Sequence, residues 1–265
     1  MSLKNKFETF ALSFFGLFTA VPIILSFGYA ALYSFGVVGI LNTSFTLSNW
    51  TNTLTSGEVV SAFVFSFYVA LVSIFITILL ALLLTSIFRN EVNRATVIYL
   101  PLGITAIVAA FYTFQVLSKA GLFSLLHDTF GISIIATHVL MALPFFTILF
   151  TNLNSSENLD ELRNLARTLG ASARQVEFKV AIPILLRKAF PTIVLYFIFV
   201  LGSYEIPLLL GRQYPQMVSV LIIRKLQRFN LLDIPTAYAM AVLYLIITAT
   251  MIVVLCRKRK LSYDI

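Results

Sequence analysis

The chain is poor in charge. Of its 265 residues only 11% are Asp, Glu, Lys or Arg, where a soluble globular domain carries about 25%. A soluble domain of this length could enclose a good core, but nineteen basic and eleven acidic side chains are too few to give it a polar shell. Cysteine is nearly absent: Cys256 stands alone, which excludes a disulfide-stapled secreted scaffold. Eleven glycines and eight prolines exclude collagen-like and low-complexity chains. Motifs are missing as well. No G-x-x-x-x-G-K-[ST] string occurs, so there is no loop of amides to cradle a nucleotide's phosphates. No G-x-S-x-G elbow or H-E-x-x-H pair is present. His127 and His138 have no third ligand at metal spacing. The expectation is a loop histidine at 127, a hydrogen-bonded helix histidine at 138, no metal, and an inert Cys256 at a membrane boundary.

What the chain has instead is apolar bulk. Hydrophobic residues make up 59%, with 25 Phe and 11 Tyr and a mean hydropathy of +0.95. That excludes a disordered chain and leaves a polytopic membrane protein. A helix needs about 20 apolar residues to cross a bilayer. Six stretches qualify: Phe10–Phe35, Val59–Phe88, Ala95–Leu117, Gly131–Thr151, Phe190–Leu210 and Thr236–Cys256. Pro101 and Pro144 interrupt the third and fourth and mark kinks, since neighbouring helices can satisfy the freed carbonyls. Lys4 and Lys6 before the first stretch resemble a signal peptide, but its apolar run is longer than the 7–15 residues of a signal core and has no convincing cleavage motif. It reads as an uncleaved first helix.

Charge sets the expected orientation. With the N-terminus inside, fourteen of the nineteen basic residues fall on the inner side, as the positive-inside rule requires for two cytoplasmic termini. The outer side keeps Lys119 and the cluster Arg212, Arg224, Lys225 and Arg228. A nucleic-acid reading of the net charge of +8 is weaker, because no basic stripe is interleaved with exposed aromatics.

The longest polar segment lies between the fourth and fifth stretches. Ser156 can cap a helix with Glu157 and Asp160 in its first turn, favourable at the positive helix end. Leu159, Leu162, Leu165, Ala166 and Leu169 recur at helical spacing. Gly170 ends that helix, and Ser172 caps a second one through Lys179, which Pro183 closes. The expected product is two short amphipathic helices joined at a glycine elbow. They either rest on lipid or dock a soluble partner.

Gly170-Ala171-Ser172 followed by Val180-Ala181-Ile182-Pro183 resembles the cytoplasmic signature of binding-protein-dependent ABC importer permeases of type I. In that pattern Glu-Ala-Ala precedes the Gly, and an apolar-Pro element ends thirteen residues after it, as Pro183 does here. The Glu-Ala-Ala half is degenerate: Asn164, Leu165 and Ala166 stand in its place. The resemblance covers residues 58–256, with residues 1–57 an N-terminal helix and outer loop and 257–265 a basic cytoplasmic tail. It implies an all-α bundle of six membrane helices in the bacterial inner membrane. It implies that the segment's helices insert into a groove on an ATPase subunit, with Leu159, Leu162, Asn164, Leu165, Ala166, Leu169, Gly170, Ala171, Ser172, Ile182 and Pro183 as the coupling residues. It implies two ATPase subunits that hold the ATP and Mg, a second permease chain and an extracytoplasmic substrate-binding protein. No cofactor belongs to this chain. The missing Glu favours two different permease chains.

Glu205 is the one acid inside a confident stretch, and a charge at bilayer depth must face protein or water. Gly202, Pro207, Leu209, Leu210 and Gly211 are similar to the fifth span of polyamine-, iron- and thiamine-type permeases. Two readings stay open. Either Ser203, Tyr204, Glu205 and Pro207 line a translocation path that favours a cation such as a polyamine, or Glu205 lies near the outer boundary and pairs with Arg212 or a neighbouring chain. An anionic or sugar substrate and a gradient-driven secondary transporter remain as alternatives. The outer loop VSVLIIRKLQRF predicts a surface-lying helix. It would meet anionic headgroups or present Arg212, Arg224, Lys225 and Arg228 to an acidic binding protein.

Overall fold

The computed structural model describes residues 3–39, 44–87, 131–211, 214–228 and 230–261. The expected third span, Ala95–Leu117, lies outside the described residues, as do Lys119, His127 and Arg212. Among the described residues the regular structure is all helical, with no strand. That is what apolar stretches of this length dictate, because in hydrocarbon only a helix or a closed barrel satisfies its own backbone.

The elements are α1 (Leu3–Ser34), α2 (Ser48–Thr55), α3 (Gly57–Ile87), α4 (Ile132–Ser156), α5 (Leu159–Thr168), α6 (Ala173–Val176), a π-helical segment (Glu177–Ala181), α7 (Ile182–Leu201), α8 (Glu205–Leu210), α9 (Val218–Gln227) and α10 (Asp233–Leu261). Five spans among the described residues are long and apolar enough to cross a membrane: Phe14–Ser34, Gly57–Ser86, Ile132–Ser156, Ala173–Leu201 and Asp233–Arg257. Helix α4 runs unbroken through Pro144.

The fifth expected span is displaced. Instead of Phe190–Leu210, a continuous helix runs from Ala173 through Leu201, breaks at 202–204, and resumes as α8. Pro183 therefore does not close the preceding helix. A proline ring crowds the carbonyl four residues back, and the wide π turn at Glu177–Ala181 immediately before it relieves that crowding. The second short helix is thus the leading end of a membrane helix.

The chain divides into two compact units, residues 1–60 with 221–250 and residues 61–220 with 251–265. In the first, Tyr238 packs on Tyr33 and Tyr29 (ring centroids 4.5 and 6.0 Å apart), and Phe35 stacks on Trp50 at 5.6 Å. In the second, Ala81 of α3, Ala142, Phe146 and Phe150 of α4, Leu185 and Ala189 of α7 and Leu159 of α5 form one buried cluster. The three alanines let the helices approach closely, which is how membrane helices gain packing without a hydrophobic drive. Phe146 meets the Tyr196 ring edge-on at 5.5 Å, and the Tyr196 hydroxyl donates to the His138 carbonyl oxygen at 2.8 Å.

Buried hydroxyls mark the inward faces of the spans. Ser66, Ser73 and Thr77 of α3 and Ser133 and Thr137 of α4 are all buried. Thr77 and Thr137 return their hydroxyls to backbone oxygens four residues back, and Ser66 Oγ accepts from the Val218 N–H at 2.8 Å. His138 departs from expectation. It is fully buried, and its ring nitrogens have no hydrogen-bond partner among the described residues. Its contact is edge-on with Phe199 at 6.5 Å.

Candidate functional site

The candidate site is the 157–183 segment, built from its backbone upward. Ser156 is not the cap: it is the last residue of α4, and its hydroxyl donates to the Leu153 oxygen. The chain turns through Asn158, which holds a left-handed backbone (φ 48°). α5 then starts at Leu159 with Asp160 and Glu161 in its first turn, where acids complement the exposed amides. The glycine elbow forms as the spacing predicts. The Ala171 N–H reaches the Ala166 oxygen and the Gly170 N–H reaches the Arg167 oxygen, both at 3.0 Å. This pair of bonds closes a helix through a left-handed residue, and Gly170 is that residue, with φ 87°. Ser172 caps α6, and the cap is reciprocal: its hydroxyl accepts from the Gln175 N–H, and the Gln175 side chain accepts from the Ser172 N–H at 2.9 Å.

The expected single apolar stripe is two faces. Leu159 is fully buried in the α3–α4–α7 cluster, so it anchors the segment and is no contact surface. Leu162, Leu165 (59% exposed) and Leu169 (81% exposed) point outward, and Phe178, 65% exposed, adds an aromatic on the π segment. Asn164, Gly170, Ser172 and Pro183 are exposed as well, while Ala166, Ala171 and Ile182 are half-buried. Among described residues this leaves an apolar outward face on the segment.

Sequence reasoning passed over the inner side of α5. Arg163 is buried. Its Nε and one terminal nitrogen donate to both Glu177 oxygens at 2.9 and 3.3 Å. Its other terminal nitrogen donates to Asp160 Oδ1 at 3.0 Å and to Asn154 Oδ1. The signal was present: Arg163 follows Leu159 by four residues, hence on the same helix face. Lys188 of α7 pairs with Glu157 at 2.8 Å on the surface of the same region.

The acid expected inside the fifth span falls past its end, since that span closes at Leu201. Glu205 is the first residue of α8, just past the gap that ends α7, and is exposed; Tyr204 and Ser203 are half-buried and Pro207 is buried. The Ser203 carbonyl oxygen accepts from the Ser219 hydroxyl. Among the described residues Glu205 has no ion-pair partner; Arg212, the expected one, lies outside them.

The outer basic cluster is corrected by the structure. Gln216 to Val218 and Val220 to Leu221 are buried while 226–228 are exposed, so the leading end of α9 is held in the fold. Lys225, only 7% exposed, bonds Glu58 at 3.2 Å, and Arg228 reaches Glu58 and Asp233 at 3.6 Å each. Both acids begin helices and Lys225 lies in the last turn of one, so helix dipoles reinforce the pairs. Lys225 and Arg228 are thus paired within the fold; Arg224 has no such pair among the described residues, and Arg212 lies outside them. Glu58→Gln is expected to destabilise the chain by about 1–2 kcal/mol, because it strands the Lys225 charge. Lys225→Met should cost less, since it removes that charge. Thermal unfolding of the two variants in detergent checks the order.

No curated protein matches the chain. Residues 77–257 match the sequence profile of the family described as binding-protein-dependent transport system inner membrane component. That match takes in the elbow, the broken span and more than half of the chain. The helical architecture, the membrane-length spans and the profile agree, and the chain belongs to this family, the multi-pass inner-membrane permease components of type I ABC importers.

Proposed function

We propose that this chain is one of two permease subunits of an ATP-driven importer. It has both termini and the 157–183 segment in the cytoplasm, and the outward face of that segment docks on an ATPase subunit. The observation that carries this reading is the exposed apolar set Leu162, Leu165, Leu169 and Phe178. An interfacial helix pair on lipid would need basic residues flanking such a face. Here Glu157, Asp160, Glu161 and Glu177 offset Arg163, Arg167, Arg174 and Lys179, so the segment has no net positive charge to draw it to anionic headgroups. Two ATPases would bind and hydrolyse ATP with Mg, a second and different permease chain would complete the path, and an extracytoplasmic binding protein would deliver the solute. ATP binding draws the docked segments together and opens the path outward; hydrolysis reverses it. Only a partner whose nucleotide states bind the two permease states unequally can drive this exchange.

Glu205 gives the reading its substrate preference. A carboxylate at a helix break just past the end of a membrane span is kept from lipid, because hydrocarbon costs it several kcal/mol. Broken helices in transporters place such groups on water-filled paths. A cation, with a polyamine as first candidate, fits. Uptake of a cation panel by Glu205→Gln checks this: the preferred cation should lose at least about tenfold, and unchanged uptake of every cation would remove the acid from the path.

The docking reading is tested by mild-detergent co-purification. The wild type should bring an ATPase subunit, and Leu165→Asp with Leu169→Asp should lose it by about tenfold or more, since each buried apolar anchor carries over 1.4 kcal/mol. If the wild type brings no ATPase, the segment has some other role.

A further inference from the structure

We infer that Arg163 is the positioning residue that makes the docking helix and the membrane helix α7 one rigid lever. The inference rests on the docking reading above and concerns how motion leaves the docked face.

Helix α5 is held to the rest of its unit at two places. Leu159, its first residue, is sunk in the α3–α4–α7 cluster. Arg163, one turn on, is the second. A ten-residue helix is about 15 Å long at 1.5 Å per residue, and the exposed Leu165 and Leu169 lie toward its far end. A helix fixed at a single end pivots when its tip is loaded. Fixed at two points a turn apart, it carries the load into whatever holds those points.

What Arg163 holds decides where the load goes. Its three acceptors come from three elements: Asn154 from α4, Asp160 from α5 and Glu177 from the π segment that leads without a break into α7. The fork to Glu177 is two-pronged and crosses the Gly170 elbow, joining the two arms that the elbow would otherwise leave to swing. Asn154 Nδ2 closes the ring by donating to Asp160 Oδ2 at 3.4 Å. The planar guanidinium meets four oxygens of these three residues from one buried position, two of them as a fork to Glu177; an ammonium is a point charge on a flexible stem, with three donors and no fork. Without Arg163 the two-pronged bond between α5 and the π segment is lost, and the arms can part.

The test uses the full chain purified with its ATPase, with spin labels at Arg167→Cys and Arg187→Cys in a Cys256→Ser background. Both label positions are exposed and stand on opposite arms of the elbow. In the otherwise unaltered chain the inter-label distance should be single and narrow, and the same with or without the non-hydrolysable ATP analogue AMP-PNP. In Arg163→Ala it should broaden, and AMP-PNP should shift it. The ATPase should still co-purify within about twofold, because Leu162, Leu165, Leu169 and Phe178 are untouched. Arg163→Lys should fall between the two, restoring charge without the fork. Glu177→Gln, which keeps the side chain's size, should also broaden the distribution. It serves as the readout if Arg163→Ala does not fold. ATP hydrolysis that continues in Arg163→Ala while the inter-arm distance becomes nucleotide-dependent marks a lost strut; a general loss of structure would lower both. A narrow, AMP-PNP-insensitive distance in both Arg163→Ala and Glu177→Gln overturns the inference. Failure of the unaltered chain to bind an ATPase instead overturns the docking reading. The distance widths in the free chain then still test the clamp: equal widths reject it, and broadening in Arg163→Ala upholds it.

Discussion

Gly170→Pro is expected to weaken ATPase binding about a hundredfold while leaving the membrane helices folded. Two independent losses add. Proline fixes φ near −65°, and Gly170 sits at φ 87°, so the elbow cannot form. Proline also has no N–H, and the Gly170 N–H is the donor to the Arg167 oxygen. A misplaced proline costs about 3 kcal/mol or more, which is about two factors of ten in affinity if the docking geometry bears it. Gly170→Ala separates shape from space. A Cβ at this position meets nothing within 4 Å, so alanine suffers only the left-handed strain of about 1–2 kcal/mol. That predicts a five- to thirtyfold loss, between wild type and proline. Titration of the purified ATPase against the detergent-solubilised chain measures all three. Equal binding by the proline variant would mean that the elbow's geometry is irrelevant to docking. Equal loss by alanine and proline would mean that a neighbour outside this chain fills the space beside Gly170.

The elbow was legible because its causes are local. A glycine after a leucine-periodic run, followed by a serine two residues later, dictates a helix stop and a helix start whatever lies around them. Existence of the spans was legible for a similar reason: length and apolarity alone decide it. Their register was not. The Phe190–Leu210 reading took the basic residues Arg187 and Lys188 as a boundary, whereas the helix continues outward to Ala173, because amphipathic surface turns prolong a membrane helix at no cost in backbone bonds. Lys225 shows a second limit. Expected in a cluster open to a binding protein, it is nearly buried against Glu58, 167 positions away in sequence by their numbering. No periodicity encodes such a partner; only the fold supplies it. Arg163 is the intermediate case. Its face could be read from Leu159, but Glu177 comes to it only once the elbow turns the chain back.

The sharpest contrast lies between two leucines six positions apart on α5. Leu159→Ala should destabilise the attachment of the segment by about 2–5 kcal/mol, the cost of a large-to-small change at a packed buried site. Leu159 is fully buried among Ala81, Phe146, Phe150 and Leu185, so the vacated volume has rigid walls that close poorly. The loss should appear locally. Hydrogen exchange should speed up over residues 157–181 more than in the middle of α4 or α7, because the other members of the cluster keep one another. Leu165→Ala should leave stability within about 0.5 kcal/mol, as exposed substitutions do, and leave exchange over the segment unchanged. It should instead weaken ATPase binding, which Leu159→Ala can do only indirectly, by loosening the helix that carries the face. Hydrogen exchange of the free chain and titration with the ATPase, run on both variants, give a two-by-two outcome. Leu159→Ala moves exchange first and binding second, and Leu165→Ala moves binding alone. If Leu165→Ala speeds exchange as much as Leu159→Ala, the outward leucines are holding the segment in place. The docking face would then lie elsewhere, with the exposed Phe178 the next residue to substitute.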